Sequence, residues 1–287
     1  MLIKLNSSKL EATFSSQGAE LISLKDKQGI EYIWQGREGF WPGHSPLLFP
    51  ICGSLKNGEY SHQGKVYQMG SHGFAGKSEF SIIDQSADRV VFVLQETAES
   101  LSQFPFKFVL RLTYYLTESE LKVDYSVENS GAEELPYSLG WHPGFICNWQ
   151  ADDKIEDYRL EFDSVDGAQR HMVLDGALIS RATTGWDESG FALKLEELSD
   201  KGLVLDCAQM SKVRLLHKSL DKSVTLNFSE FQFLVLWWQK GADFVCIEPW
   251  QGMGDLEDHS GELKEKFATE ILPAGETKTF SCSLELV

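Results

Sequence analysis

The sequence lacks the hydrophobic run of a membrane-spanning helix, since no segment approaches about 20 consecutive apolar residues. Its five cysteines are far apart, form no C-x-x-C pair and have apolar neighbours. This usage is typical of buried free thiols in a reducing compartment. Because the first residues turn polar at once, without the apolar core of a signal peptide, we expect a cytoplasmic protein.

Several cofactor and nucleophile motifs are also missing. The chain has no G-x-G-x-x-G turn, no P-loop and no G-x-S-x-G elbow, which argues against a dehydrogenase, a kinase or an esterase-like hydrolase. Basic residues are few: 26 Lys and Arg oppose 43 Asp and Glu, for a net charge of −17. Such a charge repels nucleic-acid and anionic lipid surfaces. We therefore expect a neutral small-molecule ligand, no cofactor, and neither nucleic acid nor membrane as a partner.

Helical periodicity is scarce, and residues 98–104, which end before Pro105, are the best short helix candidate. Alternation with a period of two recurs instead, which is typical of half-buried strands. It predicts strands over residues 106–116 and 120–128, further strands around Leu226 and at the C-terminus, and a buried hairpin between residues 231 and 247. No linker or composition shift interrupts this pattern. We therefore predict an all-β protein, a large antiparallel β-sandwich, with residues 1–287 as a single domain.

Three polar residues stand among Gly, Pro and aromatic residues. They are His72 in SHGFA, His142 in GWHPGF and Glu248 in CIEPW. Pro143 biases His142 to an extended conformation, and the apolar neighbours of Glu248 should raise the pKa of its carboxyl. A partly desolvated carboxylate and two imidazoles beside aromatic rings are suited to acid–base chemistry on a sugar.

Each candidate also has a purely structural interpretation. Glu248 could be satisfied by backbone N–H groups or one cation at a strand end, and perturbed carboxylates occur in structural networks too. His142 could pack under Trp141 and Phe145, and His72 has the same ambiguity. Two His and one Glu are also a zinc ligand set, but the short ligand spacing of a zinc motif is missing, so we expect no metal.

The remaining polar features have simpler interpretations. Five further histidines lack this framing and are predicted to be ordinary surface or loop residues: His44, His62, His171, His217 and His259. The acidic run over residues 151–157 is predicted to be a solvated loop.

Five segments, taken in order, resemble the aldose 1-epimerase (galactose mutarotase-like) superfamily, and within it the LacX-type branch. They are GAELISL at 18–24, PLLFPICG at 46–53, SHGFA at 71–75, GWHPGF at 140–145 and CIEPW at 246–250. The resemblance covers almost the whole chain. It implies a β-supersandwich and cofactor-free interconversion of the α and β anomers of a sugar.

The resemblance also implies roles for the three residues. Glu248 is similar to the base that takes the proton from the C1 hydroxyl, and His142 to the acid that protonates the ring oxygen. His72 is similar to a substrate ligand that holds ring or hydroxyl oxygens. Ring opening needs one proton removed and one delivered, and a carboxylate with an imidazolium has suitably separated pKa values for this.

The chain departs from the branch pattern at two positions. Gly76 and Lys77 follow SHGFA where the branch usually has Arg, and Ser54 follows Gly53 where it often has Arg. Lys77 is therefore the expected substrate-binding cation, although a lysine is a point charge rather than a planar fork. Without arginine at these two positions, a sugar phosphate is a less favoured substrate, because phosphate groups need clustered cations. The family's further substrate-binding carboxylate matches either Asp200 or Asp187.

Two functions remain open. The first is a mutarotase acting on a free aldohexose such as galactose or glucose, working as a monomer or a homodimer. The second is a catalytically weak carbohydrate-binding or regulatory protein of the same fold. Retention of Glu248, His142 and His72 favours the enzyme, whereas the changed Ser54 and Gly76 positions favour the binding protein.

Overall fold

Antiparallel strands dominate the computed structural model, which describes residues 1–194 and 201–287. The strands in the first third of the chain are β1 (Leu2–Asn6), β2 (Leu10–Ser15), β3 (Glu20–Asp26), β4 (Leu47–Leu48), β5 (Glu59–His62), β6 (Lys65–Gln68), β7 (Ser81–Gln85) and β8 (Arg89–Gln95). The middle third contains β9 (Val109–Leu116), β10 (Glu120–Glu128), β11 (Leu135–Tyr137), β12 (Leu139–Trp141), β13 (Gly144–Ile146), β14 (Tyr158–Phe162), β15 (Gln169–Val173) and β16 (Ile179–Gly185). The last third contains β17 (Gly190–Ala192), β18 (Leu203–Asp206), β19 (Lys212–His217), β20 (Ser223–Asn227), β21 (Phe233–Trp237), β22 (Phe244–Gln251), β23 (Glu270–Leu272) and β24 (Thr277–Leu286).

Helices are short in the described residues. The α-helix is α1 (Ala98–Gln103), in the segment where the sequence predicts a helix. It begins with a reciprocal capping box between Thr97 and Ser100. The 3-10 turns are Lys56–Gly58, Ala75–Lys77, Ile155–Asp157, Asp175–Ala177 and Leu263–Glu265. Within the described chain, no helix has the length and apolar character needed to cross a membrane.

Two large sheets form the body of the molecule. One has nine strands in the order β17-β14-β19-β20-β24-β10-β9-β8-β7. The other has the order β16-β15-β18-β21-β22-β12-β4, with β13 also paired to β22. The main hydrophobic core contains inward-facing residues of both sheets, among them Leu112 and Val123 from the first and Leu236 and Ile247 from the second. The all-β, large antiparallel prediction is confirmed.

Period-two alternation in the sequence correctly predicted several strands. The strand predicted at residues 120–128 is β10, whose buried and half-buried side chains alternate along its whole length. The predicted buried hairpin is β21 and β22, paired from Phe233↔Trp250 to Trp237↔Cys246. Seven of the eight residues of β22 are buried, because the main core covers one face and other side chains pack on the opposite face. All five cysteines are buried free thiols, as expected.

One prediction about polar residues is wrong in part. His62, His171 and His217 lie in strands and are buried, rather than being surface or loop residues. His259 lies in a loop, as predicted, although its side chain is only 5% exposed. The acidic run over residues 151–157 is a largely exposed loop, as predicted, although the Asp153 carboxylate is 2% exposed and lies 3.3 Å from Nε2 of His217. Tertiary packing brings these groups under neighbouring strands, which a local pattern of charges does not reveal.

Candidate active site

His142 occupies a break in the sheet directly opposite Glu248. The strands on either side of it, β12 and β13, both pair with β22, through Gly140↔Trp250 and Gly144↔Cys246. Pro143 has no N–H to give to a ladder and is tolerated in sheets mainly at edges and bulges, so the pairing is interrupted here. The His142 N–H instead donates to the carbonyl of Pro46, 3.0 Å away. The break thus presents the imidazole to the middle of β22.

Glu248 lies in the interior of β22 with its side chain only 1% exposed. Because side chains alternate along a strand, Cys246, Glu248 and Trp250 share one face of the sheet. Oε2 of Glu248 accepts a hydrogen bond from Nε1 of Trp250 at 3.1 Å. Oε1 lies 3.3 Å from Nε2 of His142 but lacks the alignment of a hydrogen bond. One carboxyl oxygen is therefore anchored while the other has no fixed partner.

His72 reaches the same place from the segment that follows β6. Its φ of 65° is in the left-handed region, which a residue other than glycine adopts only where its surroundings hold it. The backbone N–H of Gly53 donates to Nδ1 of His72 at 3.2 Å, so the neutral ring carries its hydrogen on Nε2. The ring centroids of His72 and His142 are 5.6 Å apart and the rings are perpendicular. The three residues singled out in the sequence are thus neighbours.

A cavity of about 490 Å³ opens in front of these three residues. Its aromatic walls are Trp41, which lies 4.8 Å from the His142 ring, together with Trp237 and Trp250. Gly144 makes room for Trp41, since a Cβ at this position would lie 2.9 Å from the indole. The wider lining includes Pro46, Ser54, Ser71, Val173, Asp175, Ile179, Lys201, Val204 and Val235. Aromatic side chains with a few convergent polar groups are typical of a small-ligand site.

Burial sets the protonation of the central pair. It raises the pKa of the Glu248 carboxyl well above its ordinary value, against a smaller lowering by the Trp250 hydrogen bond. Burial, with a further contribution from His72, lowers the pKa of His142 to about 3. Burial and the charge of Lys77 lower the pKa of His72 to about 4. Burial therefore favours the neutral forms of both partners, so the expected carboxylate–imidazolium arrangement is the disfavoured one.

Lys77, the expected substrate-binding cation, lies outside the cavity lining. Lys77 ends the 3-10 turn Ala75–Lys77, and its side chain is exposed and does not line the cavity. It acts on the site through the pKa of His72. Gly76 is held tightly, since a Cβ there would lie 2.8 Å from the carbonyl oxygen of Leu47. Ser54 does line the cavity, and its hydroxyl donates to that of Ser71 at 3.3 Å.

The carboxylate proposed from the resemblance is not at the cavity in the described chain. Asp187 is exposed and outside the cavity lining, and Asp200 lies outside the described residues. Instead, Asp175 borders the cavity and pairs with Lys201 at 2.7 Å. Sequence reasoning missed both residues. The Asp175-Gly176 dipeptide is a turn signal, but nothing local indicates that this turn meets the cavity.

One group of possible metal ligands overlaps the pair. Ligand atoms of His142, Cys246 and Glu248 lie within 4.8 Å of one another. Zinc accepts this set of donors, in which Cys246 takes the place that the sequence suggested for His72. Burial raises the pKa of the Cys246 thiol and of the Glu248 carboxyl well above their usual ranges. A metal would have to displace both protons, so its affinity would depend steeply on pH.

A second group, Asp153, Asp157 and His217, lies away from the cavity. Nδ1 of His217 accepts hydrogen bonds from the N–H groups of Ser219 and Leu220, so the neutral ring keeps its hydrogen on Nε2. That nitrogen faces Asp153, where a metal would have to bind. The arrangement is that of a buried structural cluster.

Comparison with known proteins agrees with this fold. The family model described as "Aldose 1-epimerase" matches residues 1–284. The chromosomal LacX protein of Lactococcus lactis is 32% identical over 290 residues, covering 97% of each chain. A galactose mutarotase-like protein from Lactobacillus casei has a TM-score of 0.94 and 31% identity, with 100% of both chains covered. A galactose mutarotase related enzyme from Lactobacillus acidophilus has a TM-score of 0.93 and 28% identity, covering 100% of this chain and 97% of its own. A match of this extent, on a fold that brings His72, His142 and Glu248 together, means that the chain belongs to the aldose 1-epimerase family.

Proposed function

We propose that the protein is a mutarotase that interconverts the α and β anomers of a free aldohexose such as galactose or glucose. The observation that carries this proposal is the 3.3 Å separation of His142 Nε2 and Glu248 Oε1 at the wall of the cavity. The two oxygens that exchange protons during ring opening, O1 and O5, are bonded to the same carbon. A proton acceptor and a proton donor must therefore lie close together, as these two atoms do.

Both proton transfers of the proposed step use this pair of residues. The Glu248 carboxylate removes the proton of O1, the C1–O1 bond becomes a carbonyl, and the C1–O5 bond breaks. Its electron pair goes to O5, which takes a proton from the His142 imidazolium. The open-chain aldehyde then rotates about C1–C2, and closure by the reverse transfers gives the other anomer.

The buried environment favours this direction of transfer. Opening converts a carboxylate and an imidazolium into two neutral groups, and desolvation favours the neutral forms of both. The reactive ion pair, with the proton on His142, carries the desolvation cost of both charges. Hydrogen bonds from sugar hydroxyls to the carboxylate would stabilise that charged form once the substrate is bound.

The surrounding residues supply binding. The faces of Trp41, Trp237 and Trp250 suit the apolar C–H faces of a pyranose, and Nε2–H of His72 is a donor for a ring or hydroxyl oxygen. We assign Asp175 and Lys201 as polar contacts at the border of the cavity. We assign to Lys77 an indirect effect through His72. Since these transfers use only the chain's own groups, we propose that no cofactor takes part and that the protein acts in the cytoplasm.

Polarimetry of freshly dissolved α-D-galactose and α-D-glucose tests the proposal. The optical rotation should reach equilibrium faster in proportion to protein concentration, and treatment with EDTA should not change the rate. The Glu248→Gln protein is the matched control for buffer and surface effects. No acceleration over buffer for any aldose tested would overturn the proposal.

A carbohydrate-binding protein without turnover is the second candidate. The placement of Lys77 outside the cavity lining favours it, because the cavity then lacks the cation expected from the sequence. Sugar-induced quenching of tryptophan fluorescence without any polarimetric acceleration would identify this function.

A further inference from the structure

Behind the cavity wall lies an ion pair that the proposed chemistry does not use. The side chains of Asp255 and Lys266 are 0% and 1% exposed, and Oδ1 of Asp255 lies 3.4 Å from Nζ of Lys266. Nζ also donates to the carbonyl of Met253. Removing two charges from water is costly, and such a pair often contributes little net stability. The hydrogen bonds that Asp255 and Lys266 make to neighbouring backbone groups are therefore the better guide to the role of this pair.

Asp255 fastens the segment of residues 53–56, part of which lines the cavity. Its Oδ2 accepts a hydrogen bond from the backbone N–H of Lys56 at 2.9 Å, and its own N–H donates to the carbonyl of Ser54 at 2.9 Å. Gly53, with a φ of 71°, packs directly against the segment that follows β22, since a Cβ there would be 2.6 Å from the nitrogen of Gly254. Two backbone segments thus meet without side chains between them.

The same segment holds His72 from its other side. Gly53 donates to Nδ1 of His72 at 3.2 Å, and the N–H of His72 donates back to the carbonyl of Gly53 at 2.9 Å. These two bonds fix the ring rotation, the tautomer and the left-handed backbone of His72. A displacement of residues 53–56 would release all three.

We propose that Asp255 and Lys266 are positioning residues, which hold residues 53–56 so that Gly53 keeps Nε2–H of His72 directed at the sugar. The charge of Lys266 holds Oδ1 of Asp255 and turns Oδ2 to the N–H of Lys56. The effect of these contacts on catalysis rests on the proposed function, whereas their control of the His72 tautomer does not.

Substitution of Lys56 isolates the hydrogen bond. Lys56→Pro removes the N–H that binds Asp255, at the first position of a 3-10 turn where proline is tolerated, and preserves the buried ion pair. Lys56→Ala is the matched control, because it removes the same side chain, which otherwise contacts the Glu257 carbonyl, but keeps the N–H. The readouts are the ¹⁵N imidazole signals of His72, assigned by their loss in His72→Gln, and kcat/KM for mutarotation.

Lys56→Pro should convert the single Nε2–H pattern of His72 into an average of the two tautomers and lower kcat/KM about tenfold or more, since small misplacements of a positioned group have large costs. Lys56→Ala should retain both wild-type values. Asp255→Ala should reproduce the proline result. Asp153→Ala, a similarly buried carboxylate away from the cavity, should change only the melting temperature.

Wild-type His72 signals and kcat/KM in folded Lys56→Pro would overturn the proposal and leave the ion pair a purely structural role. If Asp255→Ala does not fold, the proline and alanine variants at position 56 still decide. If the wild-type protein itself shows no mutarotation, the proposed function fails, while the His72 signals still report whether the network controls the ring.

Discussion

Nε2 of His142 and Oε1 of Glu248 are 3.3 Å apart in a buried pair that faces an aromatic cavity. His142 stands where Pro143 interrupts the sheet, and Glu248 stands at the middle of the opposite strand. Burial raises the pKa of the Glu248 carboxyl and lowers that of His142, so it favours the neutral form of each group. The consequences for rate, pH dependence and stability can each be measured.

Glu248→Gln should abolish most turnover without preventing binding. The amide keeps the size of the side chain and an acceptor for Trp250, but it cannot accept the O1 proton. A general acid–base group contributes about 10²- to 10⁴-fold, so kcat should fall by this factor while sugar still quenches the cavity tryptophans. The double variant with His142→Asn should lose far less than the product of the single losses, because the two residues act as a unit. A Glu248→Gln enzyme that keeps more than about a tenth of wild-type kcat would contradict this role.

The pH profile of kcat/KM should be a broad bell centred on the one-proton state of the pair. Lowering the pH adds a second proton, which leaves no base, and the pKa of His142, lowered to about 3, delays this to acid pH. Raising the pH removes the single proton, which leaves no acid, and the raised pKa of Glu248 delays this loss. The limbs belong to the coupled pair rather than to either residue. Initial polarimetric rates and a ¹H NMR titration of His142 test this, and a free-enzyme His142 titrating near 6.5 would contradict it.

Glu248→Gln should also stabilise the fold, increasingly so as the pH rises. The folded-state pKa of Glu248 lies above its ordinary 4.5, so the folded protein holds a proton that the unfolded chain releases, and wild-type stability falls as pH rises above that value. Glutamine has no such dependence. The melting temperature of the variant should exceed that of wild type by about 2 °C or more at neutral pH, and the gap should close towards pH 4.5. Glu276→Gln, at an exposed site, should show no such pH-dependent gain.

Asp175 rather than Lys77 should determine the apparent affinity for sugar. Asp175→Ala removes a carboxylate at the border of the cavity and should raise KM about threefold to tenfold with kcat little changed. Lys77→Ala should leave KM close to the wild-type value, since the side chain does not line the cavity. The same kinetics on Lys201→Ala show whether the partner of Asp175 contributes. A rise in KM for Lys77→Ala but not for Asp175→Ala would restore the expectation drawn from the sequence.

Much of this protein follows from local sequence. Period-two alternation predicted β10 and the β21–β22 hairpin, because a half-buried strand shows its two faces in the order of its residues. Pro143 predicted an extended backbone at His142 for an equally local reason, since a proline restricts the residue before it. The motifs also singled out His72 and Glu248, which the fold brings to the same cavity.

Only the tertiary structure decided the rest, because burial and proximity depend on segments far apart in the chain. The turn containing Asp175 meets the cavity only through the packing of the sheets, and Lys77 lies outside the lining although its motif borders the site. The opposite pKa shifts of Glu248 and His142 are a further case, since a strand sequence suggests that Glu248 is partly desolvated but cannot show that His142 is buried with it. The sequence by itself singled out the residues to which we assign the chemistry, and the packing of distant strands decided their burial and their pKa shifts, because desolvation is a property of the folded volume.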